Sequence, residues 1–181
     1  MGGRKVQGSR ARSKFLGLGL SLVVAMASGP VGARIQRVVD SALDVSFVPP
    51  PYFQTQPVTK GGVVHFSLVP PDKSVTISTG GYKDKKLHNS PPMEPEQVKA
   101  ACTNALGQLG KGFTITLSKR FLLDSQNGAE CQFTDTKGRT VHWVGATVPA
   151  QMVLFMADWP KPPSKEQVTI FRQFLGGIQI F

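Results

Sequence analysis

The sequence predicts an α+β domain built on an antiparallel sheet, and three features of the chain predict it. Most segments between proline and glycine breaks alternate apolar and polar residues with the two-residue period of a half-buried strand. A helical period appears only twice, after Pro95 and after Ser164. Successive strands are joined by short turns, among them Pro70-Pro71-Asp72 and Asp135-Thr136-Lys137-Gly138, so hairpins are the natural connection.

Arg34 to Ala42 reads as a linker or a short helix, and Leu43 to Val48 alternates as a first strand, stopped by Pro49-Pro50-Pro51. Tyr52 to Lys60 has no clear period and contains Pro57, so it is expected to be loop, with Gly61-Gly62 as a turn. Val63–Val69 and Ser74–Ser78 are two strands of a hairpin. A polar excursion, Thr79 to Pro92, follows; it contains Gly80-Gly81, read as a turn, and the cluster Lys83, Lys85, Lys86 and His88.

From Pro95 the apolar residues Val98, Cys102, Ala105 and Leu109 form one helical stripe. Pro95 suits a first turn, Glu94 and Glu96 suit the positive end of the helix dipole, and Gly107, Gly110 and Gly112 end the helix. Phe113, Ile115 and Leu117 alternate in the next strand. Ala129, Cys131 and Phe133 alternate in another, which forms a hairpin with Arg139–Val148. Met152–Ala157 is continuously apolar, as in a strand buried on both faces. Ser164-Lys165-Glu166-Gln167 has the form of a capping box, opening a helix that presents Val168, Phe171, Leu175 and Ile178, and Ile178–Phe181 packs as a last extended piece.

The first 33 residues carry Arg4, Lys5, Arg10, Arg12 and Lys14 with no acid, then the apolar run Phe15–Met26, then Val31-Gly32-Ala33 with small residues at the minus-three and minus-one positions. This is the pattern of a signal peptide cleaved after Ala33, leaving residues 34–181 as a single periplasmic or secreted domain. The Ala25-Met26-Ala27 site also fits the rule, and an uncleaved membrane tether is the other alternative; the apolar run, about 12 residues, is short of the roughly 20 a spanning helix needs. Five of the 21 basic residues leave with the leader, so the remainder has 16 basic against 11 acidic residues. That excess is ordinary for a small domain and gives no reason to expect a nucleic-acid partner.

Cys102 and Cys131 are the only cysteines. In an oxidising compartment an even pair reads as one disulfide, with two buried free thiols as the alternative. Cys102 lies on the helical stripe and Cys131 on the face of Ala129 and Phe133, so a bridge is reasonable if the helix covers that face.

The order strand, hairpin, helix, strand, hairpin, buried strand, helix resembles the fold shared by the PsbP extrinsic subunit of photosystem II, the Ran-binding Mog proteins and the bacterial DcrB-like proteins. The likeness is carried by Val45-Ser46-Phe47-Val48-Pro49-Pro50, by Gly138-Arg139-Thr140-Val141-His142 and by Ile170-Phe171-Arg172-Gln173-Phe174-Leu175. The resemblance implies a layered α/β/α sandwich and a non-catalytic role in binding or assembling other proteins, another envelope protein being the expected partner. Binding residues of that family have no counterpart motif in this chain.

Reactive chemistry is not signalled. His65, His88 and His142 lack ligand spacing, and neither HExxH nor paired CxxC occurs, so no metal is expected; no phosphate loop or other cofactor motif is seen, and no cofactor is expected. No GxSxG elbow is present, and the cysteines sit on apolar faces, unlike activated nucleophiles. Glu130 and Asp135 flank one hairpin as a conceivable acid/base pair, and polar residues there are usually solvated. Lys83, Lys85, Lys86 and His88 form a possible docking loop for an acidic partner or an anionic membrane surface, against the plain reading of a solvated loop. The alternative function is a small periplasmic hydrolase that joins His142 to a carboxylate distant in sequence.

Overall fold

A computed structural model describes residues 36–60 and 63–181. The expected leader and the Gly61-Gly62 turn lie outside the described residues. Among these residues the order is β1 (Val38–Asp40), β2 (Val45–Phe47), β3 (Gln54–Lys60), β4 (Val63–Val69), β5 (Thr76–Lys83), α1 (Pro95–Leu109), β6 (Phe113–Leu123), β7 (Gln126–Asp135), β8 (Thr140–Val148), β9 (Gln151–Trp159), α2 (Lys165–Gly176) and β10 (Gln179–Ile180).

Two antiparallel meanders, β3-β4-β5 and β6-β7-β8-β9, join through β5 and β9 into one seven-stranded sheet, ordered β3-β4-β5-β9-β8-β7-β6. α1 crosses from β5 to the far edge and covers one face. Its Val98, Cys102 and Ala105 pack with Ala129, Cys131, Phe133, Val141 and Trp143. α2 covers the other face, where Phe171, Phe174 and Leu175 meet Val144, Val153, Phe155 and Trp159. A small sheet, β1-β2-β10, lies on this second side and brings Val45 and Phe47 into the same core.

Local chemistry explains both helices. Pro95 opens α1, and the Gln97 side chain accepts from the Glu94 backbone N–H at 2.7 Å. Ser164 and Gln167 close the expected capping box of α2, with bonds of 2.8 and 3.2 Å.

Four segments differ from the sequence expectation. Val38–Asp40, within the segment expected to be a linker or a short helix, is strand β1. Tyr52–Lys60 is largely strand β3, because Pro57 lies on an outermost strand, where the lack of an N–H removes no ladder bond. Gly80-Gly81 is not a turn but the middle of β5, which runs on to Lys83. A Cβ at Gly81, where φ is +148°, would collide with the Met152 carbonyl oxygen and with Leu43, so close packing across the sheet selects glycine there. In β9 burial alternates: Val153, Phe155, Ala157 and Trp159 are fully buried, whereas Met152, Leu154 and Met156 are half-buried beside α1.

Candidate functional site

Cys102 and Cys131 form a disulfide, with Cα atoms 5.5 Å apart, beneath α1. Both residues are fully buried, so the bridge ties helix to sheet inside the core rather than offering a reactive sulfur. It is the one pairing among the expected site residues that the helical stripe and the strand alternation both pointed to.

On the opposite face of β7 the alternation puts Glu130 against α2. Its Oε1 lies 2.6 Å from Nε2 of His142 on β8 and 2.7 Å from Nη2 of Arg172 on α2, and Nζ of Lys119 on β6 approaches Oε2 to 3.2 Å. Glu130 is 0% exposed and His142 2%. Burial alone would push the carboxyl up; the hydrogen bond and charge of His142, the Lys119 hydrogen bond and the Arg172 charge outweigh it and hold the pKa at about 2. The group is therefore an ionised acceptor, so the His142 ring donates from Nε2. Phe171 packs against that ring at 5.2 Å between centroids.

His142 thus does meet a distant carboxylate, as a hydrolase would require, but Glu130 is also engaged by Arg172 from α2 and Lys119 from β6. What the arrangement does chemically is fix β6, β7, β8 and α2 to one another. The second acid of the imagined pair, Asp135, is used in the β7–β8 turn, where its Oδ1 accepts from the N–H groups of Lys137 and Arg139 at 2.8 and 2.9 Å.

A second buried carboxylate, Asp40, was not singled out by the sequence. Its Oδ1 accepts from the N–H groups of Ala42 and Leu43, and the Thr79 hydroxyl donates to Oδ2 at 3.1 Å. Nδ1 of His65 stands 3.9 Å from Oδ2, beyond hydrogen-bond reach, and has no other partner among the described residues.

His65 opens on a cleft of about 610 Å³ on the α1 side of the sheet. Ala105, Gln108 and Leu109 of α1 form one wall, Val58 and His65 the other, and Trp143, Leu154 and Gly80 lie in its lining. A smaller, largely apolar cleft of about 320 Å³ lies between the Pro51–Phe53 and Pro70–Asp72 loops and α2.

The basic loop is divided by its surroundings. Lys83 ends β5 and pairs with Asp44 at 2.7 Å, whereas Lys85, Lys86 and His88 are exposed. The Lys86 N–H donates to the Asp84 carboxylate, and backbone bonds from Asp84 to Ala150 and from Ala150 to Leu87 hold the loop against the β8–β9 turn.

A helix on each face of an antiparallel sheet, with a small second sheet closing one side, defines a layered α+β fold. That fold is similar to the solution structure of cyanobacterial PsbP (CyanoP) from Synechocystis sp. PCC 6803, at 13% identity and a TM-score of 0.59, over 86% of this chain and 98% of that one. The chain has the PsbP-like fold. A crystal structure of a protein from Bacteroides thetaiotaomicron VPI-5482 aligns at 11% identity with a TM-score of 0.48, over 81% of this chain and 48% of that one. Neither a family model nor a curated protein matches the sequence.

Proposed function

We propose that this chain is an exported, non-catalytic binding or assembly domain that serves as an accessory subunit of an envelope protein complex. The observation that carries the reading is the use made of its titratable groups. Glu130 joins His142 within the sheet and Arg172 from α2, and Asp40 caps the β1–β2 turn, while the larger cleft offers strand backbone, small side chains and an apolar floor. Such a surface is suited to holding a partner rather than to moving protons.

The signal-peptide pattern of residues 1–33 and the buried Cys102–Cys131 bridge support an oxidising, extracytoplasmic location. The PsbP-like fold supports an accessory role by analogy. Affinity capture of the tagged chain from its native envelope, after mild extraction, tests the proposal. One envelope complex recovered in stoichiometric amount is expected; recovery of the chain alone after in-cell cross-linking contradicts it.

A further inference from the structure

We propose that the split between β4 and β5 is a strand-addition site, which takes an extended segment of a partner protein with acidic residues at one end. The inference rests on the binding-module reading above and says where that binding occurs.

β5 pairs with β9 at every one of its residues from Thr76 to Lys83. On its other side it pairs with β4 only at Ser67↔Ser78 and Leu68↔Ile77. The β3–β4 hairpin stays zipped along its whole length, from Gln54↔Val69 to Lys60↔Val63, and so peels away from the sheet as a unit. Thr79–Lys83 therefore makes no ladder pairing on the β4 side, where only the Thr79 side chain is engaged, although it lies in the middle of the sheet. At about 3.4 Å per residue this is roughly 17 Å of open strand edge.

The outermost edges of the same sheet are blunted in the ways that prevent unwanted pairing. β3 carries Pro57, and β6 has a register shift between Ile115 and Leu117 followed by the charged Lys119 and Arg120. The inner edge carries no proline and no charge before Lys83. Where a ladder bond would stand, the Phe66 N–H donates to the Thr79 side-chain oxygen at 2.9 Å. Asp40 and Leu43 close the split from the α2 side, through Thr79 and Gly81 respectively. The opening that remains is the 610 Å³ cleft on the α1 side, in whose lining Ser78 to Gly81 stand opposite His65 and Ser67.

An extended peptide satisfies such an edge with main-chain hydrogen bonds, and its alternate side chains reach the cleft floor at Trp143 and Leu154. Charge selects the end of the segment. β5 leads into Lys83, Lys85 and Lys86, and only Lys83 has a carboxylate partner among the described residues. Acidic side chains at that end of the incoming strand complement Lys85 and Lys86.

The probe is a displayed library of random peptides about nine residues long, a length matched to the open edge with flanks, selected on the folded protein. Hydrogen exchange is then read with the enriched peptides added. Enriched sequences ending in Asp or Glu are expected, slowing amide exchange in Thr79–Lys83 by about tenfold or more. The Lys85→Glu, Lys86→Glu double variant is expected to weaken binding about tenfold at an unchanged melting temperature. Peptides that protect α2 or β6 instead overturn strand addition and leave the binding-module reading standing. A selection that yields no binder, or open-edge amides that already exchange as slowly as those of β9, also overturns it, while envelope capture still decides the broader reading.

Discussion

Removing the Cys102–Cys131 bridge tests how much of the fold's stability depends on tying α1 to β7. The bridge closes a separation of 29 residues, and the chain-entropy relation assigns such a loop about 3.5 kcal/mol at 25 °C through restriction of the unfolded chain. A domain at the lower end of the 150–250-residue class shifts its melting temperature by about 4 °C per kcal/mol, so a loss of roughly 10–15 °C follows. Two forms separate the causes. Protein unfolded, reduced and refolded under reductant keeps both sulfurs and loses only the constraint. The Cys102→Ala, Cys131→Ala variant also removes two fully buried sulfur atoms from the packing around Val98 and Phe133, and is expected to fall about 1 kcal/mol further. Calorimetry or circular dichroism melting on the three forms reads both steps. A reduced form that melts within about 3 °C of the oxidised one refutes the loop-entropy reasoning.

Three further outcomes are expected. Glu130→Gln weakens the hydrogen bond made by the buried His142 ring while the half-exposed Lys119 and Arg172 rehydrate, so a cost of about 2 kcal/mol is expected in urea unfolding rather than the larger loss of a wholly buried pair. Because the folded pKa of Glu130, about 2, lies below its ordinary value, its contribution is fully present above about pH 4.5 and is lost as pH falls toward 2; wild type and Glu130→Gln should converge in stability across that window. Gly81→Ala forces a methyl group against the Met152 carbonyl and Leu43 at a left-handed φ, and a loss of about 2–3 kcal/mol is expected by denaturant titration. Ser164→Ala removes the acceptor for the Gln167 N–H at the start of α2 and should cost about 1 kcal/mol by the same measurement.

The parts of the fold legible in the sequence are those set by local period. Val98, Cys102 and Ala105 recur at helical spacing, and Cys131 alternates with Ala129 and Phe133, so the sequence alone places both halves of the disulfide on apolar faces. Gly80-Gly81 misleads because glycine signals a turn locally, whereas here it answers a demand from Leu43 and Met152, residues far away in the chain. Pro57 misleads in the same way, since only the sheet order makes its strand an outermost one.

The Glu130–His142 pair was partly within reach. The turn at Asp135–Gly138 sets the β7–β8 register, with Gln132 opposite His142 and Glu130 opposite Val144, which makes Glu130 and His142 diagonal neighbours on one face. Arg172 was not within reach, because it arrives from α2, 42 residues beyond Glu130. Nor does any pattern of residues announce the split beside β5, which is a property of how one hairpin leaves the sheet.

Site-specific photo-crosslinking in intact cells decides whether this domain binds a partner along the open half of β5. A photoreactive phenylalanine at Tyr82, 54% exposed on the open half of β5, is compared with one at Leu122, 65% exposed on β6. A single discrete adduct with one envelope protein from position 82, absent from position 122, is the predicted result; no adduct at position 82 beyond that at position 122 contradicts it.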